Sequence, residues 1–231
     1  MATPPSQPSF FPDEWPDGLT YLANFIHEDE AKRLVREIDA APWRRDLKRR
    51  VQHYGYRYDY KARQARREDY LGSLPDLFQH LAERLTSEGQ FQAVPDQVII
   101  NEYQPGQGIS AHIDCLPCFG ETIASLSLLS ACVMRFASQK SARKMDLLLQ
   151  PDSLLVMAGE ARHEWTHAIA ARKTDIVEGQ KDGYCRRPEV PTNATHFADI
   201  SADEIRELSF AVSNMTNRRK RDAARYCAIK T

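Results

Sequence analysis

The chain has 231 residues, 42% of them hydrophobic and 27% charged, a composition that supports one domain with a buried core and argues against global disorder. No apolar run approaches the ~20 residues of a bilayer-spanning helix, so no membrane partner is expected. The start, MATPPSQPSFFPDEWPDG, lacks the basic and apolar regions of a secretory leader, and five cysteines read as reduced thiols in a cytoplasmic protein.

A formal net charge of -1 conceals a strong asymmetry, because ten basic residues stand between Arg44 and Arg67 against two acids, Asp46 and Asp59. Such a patch on a nearly neutral chain fits a polyanion contacted at one face.

In chain order, residues 1–18 hold five of the thirteen prolines and read as an extended arm. GLTYLANFI reads as a first strand. HEDEAKRLVREIDAAPW follows, with acids in its first turn and Leu34, Val35 and Ile38 at helical spacing, so it predicts an amphipathic helix stopped by Pro42. QHYGYRYDY alternates aromatics with period two and predicts a strand or ribbon. A second helix is expected across PDLFQHLAERLTS, between Pro75 and Gly89.

From Asp96 the texture changes to short β-rich runs, QVIINEY, ETIASLSLLS, ACVMRFAS, MDLLLQ and DSLLVMAG, separated by turn signals. Helices first and closely spaced strands afterwards predict an α+β fold with an antiparallel double sheet. The expected divisions are the arm at 1–18, helices and a basic aromatic segment at 19–95, a β core at 96–180 and a tail at 181–231. Within the tail, Ser201-Ala-Asp-Glu204 has a capping-box pattern. Ile205, Leu208, Val212 and Met215 follow at helical spacing, which predicts a helix.

Three constellations could carry chemistry. His112-Ile113-Asp114, with His167 far downstream, places two side chains on one face of a strand end and lets a later strand add a second imidazole. Two imidazoles and one carboxylate on one face of a metal leave positions open, as Fe(II) oxygenases require. His163-Glu164-Trp165-Thr166-His167 is a rival, because HExxH on one helix is a zinc-protease pattern. It follows a strand and a turn rather than an established helix, and it leaves His112 and Asp114 unused. Cys115-Leu-Pro-Cys118 has no second CxxC to complete a zinc site and reads as two loop thiols. The ladder His53, Tyr54, Tyr56, Tyr58, Tyr60 within the basic stretch fits stacking of unstacked bases, or equally one packed face of a strand.

NEYQPGQGISAHID, IASLSL and LLVMAGEARHEWTHAI, in that order, closely resemble the core of the AlkB family of Fe(II)/2-oxoglutarate-dependent dioxygenases. VQHYGYRYDY resembles the nucleotide-recognition lid of that family. The similarity covers roughly residues 19 to 178 and is greatest to the branch of tRNA wobble-uridine hydroxylases and their small bacterial relatives. It implies a double-stranded β-helix (jelly-roll) core beneath N-terminal helices and a lid. It also implies Fe(II) held by His112, Asp114 and His167, 2-oxoglutarate contacted by Asn101 and Tyr103, and O2 as oxidant. The implied reaction hydroxylates or oxidatively demethylates a modified nucleotide in RNA or single-stranded DNA. A monomer is expected.

Two departures stand out. The family closes with a strand bearing two arginines six apart, R-x-[SN]-x-T-F-R, the second of which pairs with the far carboxylate of 2-oxoglutarate. After Gln180 this pattern is missing, and the only such pair beyond His167, Arg219 and Arg225, falls in a segment that reads as helix. The alternative is therefore a non-catalytic nucleic-acid-binding module without the clamp. In the DNA-repair members an acid stands two residues after the ligand Asp; here that position is Leu116.

Overall fold

The computed structural model describes residues 15–45, 47–175, 184–185 and 205–213. Chain order runs β1 (Leu19–Leu22), α1 (Glu28–Ala40), β2 (Arg50–Tyr54), a 3₁₀ turn at Arg67–Asp69, and α2 (Asp76–Ser87). The β-rich part follows with β3 (Gln97–Tyr103), β4 (Ile109–His112), β5 (Phe119–Leu129), β6 (Cys132–Ser138), β7 (Lys144–Leu149) and β8 (Leu154–Met157). It ends with α3 (Gly159–His163), β9 (Trp165–Ile169), β10 (Thr174–Asp175), β11 (Tyr184–Cys185) and β12 (Ile205–Ser213).

Two antiparallel sheets face one another. The larger has the order β1-β8-β5-β12-β3-β2 and the smaller β4-β9-β6-β7, with β10 and β11 forming a separate pair. This is the expected α+β, jelly-roll arrangement. Strand alternation divides the interior into two cores. On β3, Val98 and Ile100 point toward the helices, while Ile99 and Tyr103 belong to the intersheet side. On β8, Leu154 and Val156 face the helices, and Leu155 and Met157 face the second sheet.

The helices form for the reasons their sequences give. Glu28, Asp29 and Glu30 occupy the first turn of α1, where the helix dipole favours anions, and Leu34, Val35 and Ile38 are buried. On α2, Phe78, Leu81, Ala82 and Leu85 make the buried stripe. Fully burying one such side chain contributes roughly 1.5–3 kcal/mol, so these two stripes fix the helix layer on the large sheet.

The C-terminal helix expectation is overturned over 205–213, which is strand β12 inserted between β3 and β5. Leu208 and Phe210 enter the helix-side core while Ala211 joins the intersheet core, a period of two rather than 3.6. The spacing of Leu208 after Ile205 mimics a helix, but β3 and β5 each have an edge whose N–H and C=O groups need a partner, and β12 supplies it. The β core therefore continues beyond 180. The remainder of the expected helical tail, including Arg219 and Arg225, lies outside the described residues, as does most of the arm at 1–18.

The aromatic ladder is strand only as far as Tyr54. Gly55 adopts φ +78, and a Cβ there would lie 1.9 Å from the Asp96 carbonyl oxygen, so only glycine fits this crossing. Beyond it the chain folds back through bridges Tyr56–Tyr70 and Asp59–Gln64 into a compact flap.

Candidate metal centre

The site lies between the sheets, in a cavity of about 250 Å³. The smaller sheet contributes β4 and β9, whose register sets His112 directly opposite His167. Gly108 lets these strands approach, since a Cβ on it would lie 2.2 Å from the Ile169 carbonyl oxygen. Asp114 follows β4 and turns its carboxylate to both rings, at 3.5 Å from His112 Nε2 and 3.7 Å from His167 Nε2. One ligand atom from each of the three residues lies within 4.8 Å of the others.

Hydrogen bonding prepares these groups. His112 Nδ1 stands 2.8 Å from the Ser110 carbonyl oxygen. A carbonyl only accepts, so Nδ1 carries the proton and Nε2 keeps its lone pair for a metal. Burial opposes the charge on Asp114, but His167 and His112 hold its carboxyl down at about 2. Burial brings His167 down to about 4, leaving its ring neutral at neutral pH. At His112, burial is outweighed by the hydrogen bond and charge of Asp114, and the pKa rises. The donors are thus one carboxylate and two imidazoles, the set that suits Fe(II) with open positions.

Arg162 is a part of the site that sequence reading missed. It is buried on α3, where its Nη1 donates to the Asp114 carbonyl oxygen at 3.1 Å and its Nε to the Gly120 carbonyl oxygen at 3.3 Å. It braces the backbone of the loop that carries the carboxylate. An arginine just before HExxH offers no sequence signal for that role.

Asn101 and Tyr103 line the same cavity, on the inward face of β3. Arg49 joins them, with Nε donating to Asn101 Oδ1 at 2.8 Å. From β12 come Glu207, Ser209 and Ala211. Burial pushes the Glu207 carboxyl up, while hydrogen bonds from Ser125 and Ser209 act against that rise. The flap closes the opening with Tyr58 and Tyr60, whose rings are 5.1 Å apart and edge-to-face.

The aromatic ladder does not act as one face. Tyr54 packs on Phe78 of α2, Tyr56 pairs with Tyr70, and only Tyr58 and Tyr60 line the cavity. Arg50 is likewise no free cation, because it forms a two-pronged pair with Glu102.

The HExxH reading fails on geometry. The helix ends at His163, and His167 belongs to β9. His163 Nε2 lies 3.0 Å from Glu121, and Glu164 pairs with Lys140 at 2.6 Å. The cysteine expectation needs correction as well. Cys115 and Cys118 form a disulfide across a tight turn in which the Phe119 N–H donates to the Cys115 carbonyl at 3.0 Å. Their separation of three residues and shared burial bring the sulfurs together where reduced thiols were expected. Cys132 is a buried cysteine outside that disulfide.

The jelly-roll frame and the His-Asp-His face belong to a known class. The sequence pattern of the 2OG-Fe(II) oxygenase superfamily matches residues 18–219, and the chain belongs to that superfamily. It is a 2-oxoglutarate-dependent dioxygenase using Fe(II) and O2. Within that class it is an AlkB-type oxygenase. It is 38% identical over 174 residues to mouse "tRNA (carboxymethyluridine(34)-5-O)-methyltransferase ALKBH8", covering 72% of this chain and 26% of that protein. It is 35% identical over 192 residues to the Arabidopsis thaliana "Alkylated DNA repair protein ALKBH8 homolog", covering 74% and 55%. This chain thus matches about a quarter of the mouse relative and about half of the plant one. Among solved structures, OsALKBH1 aligns at TM-score 0.57 and 16% identity over 86% of this chain and 98% of that one, a likeness of fold.

Proposed function

We propose that this oxygenase acts on a modified nucleotide in RNA or single-stranded DNA, hydroxylating a C–H bond. On an N-methyl group the hydroxylated carbon leaves as formaldehyde, and the result is demethylation. The observation that carries this reading is the flap, which sets Tyr58, Tyr60 and Arg63 around the cavity that holds the His-Asp-His face. An unstacked base needs an aromatic surface to replace its stacking neighbours and cations for its phosphates. The relatives named for tRNA modification and for repair of alkylated DNA fit the same substrate class.

In this reading His112, Asp114 and His167 hold Fe(II), and Asn101 and Tyr103 contact 2-oxoglutarate. When bound, these groups and O2 supply the oxidising power, with 2-oxoglutarate giving up CO2 and ending as succinate. The chain's own residues supply orientation and dryness. The Ser110 carbonyl fixes the His112 ring, Arg162 fixes the Asp114 loop, and Tyr58 and Tyr60 shield the cavity from water.

Succinate release with and without oligonucleotides tests the proposal. Total tRNA or methylated single-stranded RNA or DNA is expected to raise succinate above the level without substrate, with little effect of unmodified duplex. Replacing the exposed flap cations Lys61 and Arg67 with Ala is expected to reduce the slope of log affinity against log salt by about 0.7 per lost phosphate contact. Intact basal succinate that no nucleic acid stimulates would refute the substrate class while leaving the enzyme class untouched.

A further inference from the structure

2-Oxoglutarate has two carboxylates, and only the one beside its keto group can reach a metal together with that group. The other must lie elsewhere in the cavity, away from the metal, where an unpaired carboxylate is costly. Strand β12 offers it no positive charge, since Glu207, Ser209 and Ala211 are its residues in the cavity. Arg206 stands on the opposite face of β12, where it pairs with Glu102 at 2.9 Å and Asp39 at 2.8 Å.

Among the described residues, two arginines line the cavity, Arg49 and Arg63. Arg63 is exposed on the flap, its carbonyl oxygen 3.3 Å from Cys115 Sγ. Arg49 is half-buried just before β2, bonded to Asn101, with its guanidinium carbon 5.5 Å from the ring centroids of both Tyr60 and Tyr103. Among the described residues no carboxylate lies within 4.0 Å of it, in contrast to Arg50 and Arg206. The bond to Asn101 uses only Nε, and a guanidinium has further N–H donors.

We infer that Arg49 is the residue that pairs with the distal carboxylate of 2-oxoglutarate, in place of an arginine on the closing strand. Asn101 holds the guanidinium in position, and the Tyr60 and Tyr103 rings shelter it from water, which strengthens a charge-assisted pair. Glu207 takes the Ser125 and Ser209 hydroxyls on Oε1 and the Tyr103 hydroxyl on Oε2, and its carboxyl makes no direct ion pair with Arg49. Because Tyr60 belongs to the flap, the same arginine also contacts the flap. The inference rests on the co-substrate of the enzyme class and is independent of the nucleic-acid substrate.

Anaerobic calorimetry with Mn(II) in place of Fe(II) tests it, using 2-oxoglutarate and 2-oxobutyrate as ligands. The second has the same 2-oxo acid head and no distal carboxylate. The wild type is expected to prefer 2-oxoglutarate. Arg49→Ala should weaken 2-oxoglutarate binding ~10- to 100-fold, the range for a charge-assisted pair, and leave 2-oxobutyrate binding unchanged. Arg49→Lys should fall between, since it keeps the charge and loses the fork. Full 2-oxoglutarate affinity in Arg49→Ala, equal losses for both ligands, or a wild type that does not discriminate would each overturn the assignment. The nucleic-acid reading would fail separately, through absence of oligonucleotide stimulation in an enzyme that binds its co-substrate.

Discussion

Glu102→Gln tests the placement of β12 and the energetics of the sheet together. Glu102 has a fully buried carboxylate that takes a two-pronged pair from Arg50 on β2 and a bond from Arg206 Nε on β12 at 2.9 Å. Arg206 is itself 2% exposed and stacks 5.6 Å from the Trp43 ring. Asp39, which also pairs with Arg206, has a side chain that is 36% exposed and well solvated, so it offsets little of the lost central charge. Breaking a buried pair by neutralising one partner costs about 3–5 kcal/mol, against roughly 5–15 kcal/mol for a whole domain. At a urea dependence of about 2 kcal/mol per molar, the unfolding midpoint should fall by ~1.5–2.5 M. The exposed pair Arg135–Asp146, at 2.6 Å, is the control and should cost under ~1 kcal/mol when broken. Combining Glu102→Gln with Arg206→Met should recover part of the loss, because neither charge is then left buried alone. Strictly additive losses, or a midpoint shift below that of the control, would refute the register that brings Arg206 to Glu102.

Acidification provides a second test, on the metal-free protein. His167 titrates at about 4 in the fold and near 6.5 when unfolded, so its contribution is complete above 6.5 and is lost as pH falls toward 4, by about 3 kcal/mol. Asp114, held at about 2, adds a loss of the same sign below its ordinary range near 3.9, whereas His112, raised by Asp114, works in the opposite direction. Urea midpoints at pH 7 and 4.5 should diverge less in His167→Gln, and an unchanged pH dependence would contradict the burial argument. Replacing Arg162 with Met should weaken Mn(II) binding ~10- to 100-fold, as for other groups that orient ligands. Electron paramagnetic resonance of free Mn(II) reads this directly, and unchanged affinity would mean that the Asp114 loop holds itself.

The sequence made the helices, most strands and the triad legible because each rests on a local pattern. Leu34, Val35 and Ile38 repeat at helical spacing, QVIINEY and DSLLVMAG carry β-rich runs, and His112 and Asp114 sit two apart. What stayed hidden depends on pairing between distant segments. Residues 205–213 carry helical spacing and become strand because β3 and β5 leave a gap between them. Arg49 and Arg50 are neighbours in a run of cations, yet one lines the cavity and the other is spent on Glu102. The ladder of tyrosines keeps its period of two only to Gly55, where a positive φ turns the chain and sends later rings to different neighbours.

Succinate formation from 2-oxoglutarate, Fe(II) and ascorbate, without any nucleic acid, measures the central claim most directly. The wild type should release succinate slowly, and His112→Ala, which removes one of the three ligating atoms, should reduce it to background while keeping its fold. Equal succinate from the two proteins would contradict the assignment of the metal centre to His112, Asp114 and His167.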